Sequence, residues 1–339
     1  MKGLTVVTGS QPPDICGCGE YVEALVDEFR RKGLRTTLYY RKDWRLRRLL
    51  EYARELSRAD GEIVNLQYPT KGYGWSVVPQ LLPLFIRRRK VVATLHEFSR
   101  QRFEARVTIC LFFLFADWVI FTAEEERAKA SRIVPWLRRR STVIPIGSNI
   151  VYRDRQEPDT DIVYFGLIHP SKGLEAFASA VSALPGRAAY RVRAIGQVPS
   201  GYEDYAKKLI PELEEAGISV EQGRSAEEVA EILCRTRIAL LPFPDGMSRR
   251  RGTALAAMGN CALLVTLDAR SEFDFFRRVC VMVPDESKLA ELVADALENP
   301  DRYEPIRAAG QEFARSVSWS AVADGYLEVF ERLQQSPRK

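Results

Sequence analysis

Almost from end to end the chain alternates short runs of β-branched and apolar residues with longer segments whose apolar residues recur at helical spacing. Strands apolar on both faces need cover on both sides, and a helix between successive strands supplies it. The pattern therefore predicts repeated βαβ units around parallel sheets. Strands are expected near residues 4–7, 36–40, 63–67, 91–95, 119–122 and 142–144, and in a second series near 162–165, 192–195, 218–221, 238–241, 262–265 and 279–283. Residues 152–160 are charged, contain a proline and lack apolar periodicity, so they read as a linker. A chain of 339 residues is too long for one ordinary core. Two doubly wound α/β domains are expected, followed by two helical segments, 301–315 and 320–333, with Trp319 at their junction.

Several classes fall away on simple grounds. The apolar stretch at the amino end is too short for a secretory leader and reads as the first strand. The greasiest stretch, residues 107–121, is shorter than a bilayer span and is interrupted by Asp117, so a buried helix running into a buried strand is expected. Cys16, Cys18, Cys110, Cys234, Cys261 and Cys280 show no paired CxxC spacing, and His96 and His169 stand far apart. Neither a zinc site nor disulfides are expected, and reduced thiols suit a cytoplasmic protein. The net charge of +5 conceals an asymmetry, since residues 1–150 carry about +10 and the remainder about −5. Basic clusters at Arg45, Arg47 and Arg48, at Arg87 to Lys90 and at Arg138 to Arg140 have two readings: solvated helix ends, or a surface for an anionic partner.

In open α/β sheets ligands bind beyond the carboxyl ends of the strands, so the loops after strands are where a site is sought. The loop after the first strand carries Gly17 and Gly19 at the start of a helix, where backbone amides approach a phosphate closely. It is too far from the strand for a dinucleotide fingerprint, which disfavours a nicotinamide or flavin cofactor. His96 directly follows another strand. FGLIHPSKG places Gly166 after a strand and Lys172 at a helix start, where a lysine opposes the helix dipole unless an anion shares the site. LPFPDGMSRRRGT gathers Asp245, Arg249 to Arg251, Gly252 and Thr253, a set of guanidinium, hydroxyl and amide donors suited to an anion.

These loops, in this order, resemble those of retaining GT-B glycosyltransferases of sequence family 4, over nearly the whole chain. PPDICGCGEYVEALVDEFRRKG is similar to that family's first glycine loop and helix, and FGLIHPSKGLEAF to the opening of its second domain, where a lysine binds the donor diphosphate. GRSAEEVAEILCRTRIALLPFPDGMSRRRGTALAAMGNCALLVT resembles the run from the base-binding loop to the sugar and phosphate loop. The resemblance implies a GT-B architecture: a first Rossmann-like domain over residues 1–152 on the acceptor side, a second over 158–316 on the donor side, and a terminal helix, 317–335, returning to the first. It implies transfer of a sugar, with retention, from a nucleoside-diphosphate sugar held between the halves to a saccharide or lipid-linked acceptor. No cofactor or metal is implied, because cations and amides meet the departing diphosphate. The catalytic candidates are His96, Lys172 and Asp245. Donor contacts fall on Gly17, Gly19, Gly166, Lys172, Arg224, Arg250, Arg251, Gly252 and Thr253, and acceptor contacts on Lys71, Tyr73 and Trp75.

The chain departs from the pattern at three places. Leu167 stands where the family carries an arginine, and Ser248 and Ala256 stand where it carries two glutamates. Asp245 and Arg250 or Arg251 are the residues placed to compensate. Two other readings remain open: a GT-B sugar-nucleotide epimerase, which needs ring acid and base groups, and a non-catalytic relative that only binds nucleotide sugar. The expected location is the cytoplasm, with peripheral contact between the basic half and an anionic membrane surface, and no nucleic acid as partner.

Overall fold

The computed structural model of the chain describes residues 3–11, 16–99, 101–248, 251–268 and 275–335. It divides into two compact units, Met1–Gly147 with Trp319–Lys339, and Ser148–Ser318.

The first unit holds strands β1 (Leu4–Thr8), β2 (Thr36–Tyr40), β3 (Ile63–Tyr68), β4 (Lys90–Leu95), β5 (Trp118–Phe121) and β6 (Ser141–Val143), in the order β2-β1-β3-β4-β5-β6. Every neighbouring pair is parallel. The central strands β1, β3 and β5 are buried at every residue, which is why they read as unbroken apolar runs, whereas the edge strand β2 is exposed in part. On one face, helices Gly17–Arg31 and Trp319–Gln335 bury Val22, Leu25, Phe29, Tyr326 and Phe330 against Val6 and Ile120. On the other, helices Leu49–Arg58, Val78–Phe85 and Phe103–Phe115 close a second core around Leu66, Phe112 and Phe121.

The second unit holds β7 (Thr160–Phe165), β8 (Val192–Gly196), β9 (Ser219–Gln222), β10 (Thr236–Leu240), β11 (Leu263–Leu267) and β12 (Val281–Val283), in the order β12-β11-β10-β7-β8-β9, again all parallel. Each expected strand has a counterpart whose ends differ by at most two residues. The strand order reverses between β1 and β3 in the first sheet and between β7 and β10 in the second. Such a reversal splays the following loops apart and opens a crevice.

One expectation needs correction. Helix Phe103–Phe115 is not fully buried: Ile109, Phe112 and Phe113 face the sheet, while Phe103, Val107 and Leu114 are 69%, 54% and 52% exposed. The helix is an outer layer, so only one of its faces meets the core. Among the described residues no helix is long and apolar enough to cross a membrane.

Candidate functional site

In the second unit the loops after β7 and β10 flank the reversal and touch each other. Gly173 sits in the left-handed region at φ +76°, and a Cβ there would lie 2.0 Å from the carbonyl oxygen of Pro242. Gly166 is held almost as tightly: a Cβ on Gly196 would meet the Gly166 carbonyl oxygen at 2.1 Å. Tyr164 Oη donates to the carbonyls of Leu167 and Lys172 at 3.1 and 3.4 Å, pinning both ends of the same loop. Glycines here set the approach of two backbones.

That approach brings two cations together. Burial, and then the positive charge of Arg251, hold the Lys172 ammonium below its ordinary pKa. Arg251 donates to the Asp245 carboxylate and, at 3.3 Å, to the Gly246 carbonyl, and its guanidinium lies 4.3 Å from the centre of the Phe243 ring. Asp245 thus offsets the charge of Arg251. Lys172 has no ion-pair partner among the described residues. Next to Arg251, helix Gly252–Gly259 begins without a side-chain cap, so the first-turn amides of Gly252 and Thr253 keep donor capacity. Arg224 is differently engaged. It pairs with Glu221 at 2.9 Å and Glu228 at 2.8 Å, and Glu228 is itself reciprocally bonded to Ser225 in a capping box. Arg250 lies outside the described residues.

In the first unit the loops after β1 and β3 are locked together at the other reversal. Gly72 N donates to Ser10 Oγ at 2.7 Å and Gly9 N to Thr70 Oγ1 at 3.1 Å, and a Cβ on Gly72 would fall 1.6 Å from the Gly9 carbonyl oxygen. Gly19 packs on the Ser10 carbonyl, while Gly17 has open space where a Cβ would stand. Tyr73 is only 4% exposed, and its hydroxyl donates to Val7 O at 3.4 Å. Lys71 and Trp75 are the exposed side chains of that loop beside the exposed Gly72 and Gly74, and the Arg102 guanidinium lies 4.7 Å from the Trp75 ring centre.

Cys16 precedes helix Gly17–Arg31. A hydrogen bond from the Cys18 thiol, then the amides of Lys71 and Gly19 and the Ser10 hydroxyl, bring its pKa to about 4, and the same contact pushes Cys18 up. All six cysteines are unpaired, and no cluster of metal-ligating side chains occurs among the described residues.

His96 is buried at the end of β4, with Nε2 2.9 Å from Gln67 Oε1 and its ring edge against Tyr21. Gln67 Nε2 bonds Asn65, Asn65 Nδ2 donates to Thr94 Oγ1 at 2.9 Å, and the Tyr326 hydroxyl donates to Thr94 at 3.1 Å while meeting Tyr21 Oη at 3.0 Å. Sequence reasoning singled out His96 and missed this network. Its signal was there: Asn65 and Gln67 put polar groups at period two inside an otherwise apolar central strand. Glu126 went unnoticed as well. Its buried carboxylate accepts from Phe98 N, Ser99 N and Ser99 Oγ at 2.8, 2.7 and 2.7 Å and shapes the backbone beyond His96.

No protein-family model matches the chain, and no curated protein sequence matches it. Solved structures do. HepE of Anabaena, determined with UDP, aligns with a TM-score of 0.73 at 14% identity, covering 98% of this chain and 100% of that one. A glycosyltransferase from Rickettsia africae aligns at 0.73 and 11% identity, over 99% and 100% of the two chains. Sucrose-phosphate synthase from Thermosynechococcus elongatus aligns at 0.70 and 16% identity, over 98% and 99%. Likeness of this kind shows the fold, and the fold is GT-B: two Rossmann-like parallel sheets, with the last helix packed on the first.

Proposed function

We propose that the chain is a glycosyltransferase that moves a sugar from a nucleoside-diphosphate sugar to a saccharide or lipid-linked acceptor, with retention and without a metal. The observation that carries this reading is the pairing of Lys172 with Arg251 across two touching loops at the strand reversal. Both are buried enough to feel each other, and among the described residues Arg251 has a carboxylate against it while Lys172 has none.

In glycosyl transfer, negative charge grows on the departing diphosphate, and donors already in place stabilise it without reorganising. Lys172 supplies the main charge. Arg251, oriented by Asp245 and Phe243, and the amides of Gly252 and Thr253 supply directed hydrogen bonds, with Arg250 and Gly166 assigned to the same donor set. Arg224 acts indirectly in this scheme, since its two carboxylate partners hold the turn before the helix that Ser225 caps. The first unit is assigned the acceptor, with Gly17, Gly19, Lys71 and Trp75 lining its loops and Tyr73 fixing one of them from below. His96, held by Gln67 and Tyr21, is assigned to orienting the sugar. Retention follows if the acceptor attacks on the face the diphosphate leaves and passes its proton to a diphosphate oxygen. A cytoplasmic location and peripheral contact of the basic unit with an anionic membrane belong to the same reading.

HepE has also been determined with UDP-glucose, so a uridine donor is the first to test. Release of the matching nucleoside diphosphate from a panel of UDP-, GDP-, ADP- and dTDP-sugars, with and without saccharide acceptors, is the direct assay. Lys172→Ala should lower kcat/KM about 100-fold or more. Unchanged turnover in that variant removes the assignment. Isomerised sugar indicates an epimerase, and binding without turnover a non-catalytic relative.

A further inference from the structure

The fold sorts the basic clusters of the first unit into spent and unspent charges. Arg89 donates to the Ala59 carbonyl, Lys90 pairs with Asp117 at 3.5 Å, Arg48 pairs with Glu51 at 2.6 Å and Arg140 donates to the Ala116 carbonyl. These arginines and this lysine are engaged within the unit. Arg54, Arg58 and Arg87 have no ion-pair partner among the described residues. All three line one cleft of about 450 Å³ together with Arg88, over a floor that includes Leu50, Ala53 and Phe85.

Among the described residues no acidic side chain lines this cleft. Arg54 and Arg58 are one helical turn apart on helix Leu49–Arg58, a spacing at which like charges repel. Arg87 is locked opposite them, because its backbone amide donates to Ser57 Oγ at 2.8 Å while that hydroxyl donates to the Ala53 carbonyl at 2.6 Å. Arg88 holds φ +65°, a left-handed backbone that a branched-free but bulky residue adopts only at a cost. Arg54, Arg58 and Arg87 are exposed, so water screens their mutual repulsion, and together they give one small concave surface a positive potential that attracts an anion. The cleft also lies at the amino ends of β3 and β4, since Arg58 shortly precedes Ile63 and Arg88 shortly precedes Lys90. Within this unit the loops after β1 and β3 follow the opposite, carboxyl ends of the strands.

We propose that this cleft is a second ligand site, which takes a phosphate group borne on an apolar or uncharged stem, the phosphate meeting Arg54, Arg58 and Arg87 and the stem lying along Leu50 and Phe85. An anionic phospholipid headgroup and a free organic phosphate share this chemistry. The site is independent of glycosyl transfer, and its test reads binding alone.

The test compares wild type with Arg54→Gln/Arg58→Gln and with Lys129→Gln/Arg132→Gln, a control that removes the same charge from another exposed face of the unit. Binding is measured by co-sedimentation with phosphatidylglycerol-containing and pure phosphatidylcholine vesicles, and by thermal shift with inorganic phosphate and with glycerol phosphate against chloride at equal ionic strength. The cleft variant should lose about tenfold or more in affinity, whereas the control changes by about twofold or less. Binding to phosphatidylglycerol vesicles alone identifies the headgroup as the source, and a shift with glycerol phosphate identifies a free ligand. Equal loss in the two variants, or no binding to either kind of probe, overturns the proposal. An unchanged melting temperature for the cleft variant without ligand separates loss of the site from loss of the fold.

Discussion

Replacing Gly173 by alanine tests whether contact between the β7 and β10 loops builds the proposed donor site. The added methyl meets two penalties. A non-glycine residue at φ +76° costs about 1–2 kcal/mol, and a Cβ placed 2.0 Å from the Pro242 carbonyl oxygen forces the loops apart by more than an ångström, at about 1–3 kcal/mol. The sum, about 2–5 kcal/mol, is a large share of the ~5–15 kcal/mol that holds a typical protein folded. Gly186 provides the control, because it too is left-handed, at φ +65°, yet has nothing within 4 Å of the Cβ position. Gly186→Ala should therefore show the backbone cost alone. Urea unfolding gives the stability of each variant, and titration with UDP gives the effect on the site. Gly173→Ala should be the less stable of the two by at least about 1 kcal/mol and should weaken UDP binding about tenfold or more, since displacement by an ångström can cost two orders of magnitude in a preorganised site. Equal stability and unchanged binding in the two alanine variants would refute the view that this contact positions Lys172 against Arg251.

Protonation gives a second line of tests. The Lys172 pKa is lowered in the ligand-free protein, and a bound diphosphate raises it again, so affinity is full below the lowered value and falls as pH rises through it. A plot of log affinity for UDP against pH should bend downward by up to about one unit per pH unit, and the bend should be absent in Lys172→Gln. At Cys16 the pKa of about 4 makes the thiolate the main form at pH 6, so iodoacetamide should label it well before Cys110, Cys234, Cys261 and Cys280, whose thiols burial pushes up. Peptide mass spectrometry that finds Cys16 and Cys110 labelled at equal rates would count against the hydrogen-bonded thiolate.

The strands were legible because each is a short β-branched run that a parallel sheet buries on both faces, and the two reversals then located the loops that matter. Side-chain fates were less legible. Tyr73 sits in a polar loop, KGYGW, and reads as a surface residue, yet its ring is drawn into the core between Trp44 and Tyr68 because the loop folds back over β1. His96 could be placed at a strand end, but its partners Gln67 and Tyr21 come from other elements, and Tyr326, which closes the same network, lies more than two hundred residues further along the chain. Arg224 looked like one more donor to an anion. Whether an arginine is available depends on carboxylates a few residues away, and here Glu221 on β9 and Glu228 on the following helix claim it.

Tyr326 also bears on how the molecule comes into being. Its side chain is wholly buried in the first unit, bonded to Tyr21 and Thr94, although it belongs to the last helix of the chain. A ribosome therefore delivers the second unit, Ser148–Ser318, as one uninterrupted stretch, whereas the first unit waits through all of that synthesis for the helix that covers Val22, Leu25 and Phe29. During that interval the nascent first unit presents a greasy face with no lid. The part made first is the part finished last, and chaperones have the longest time to act on it.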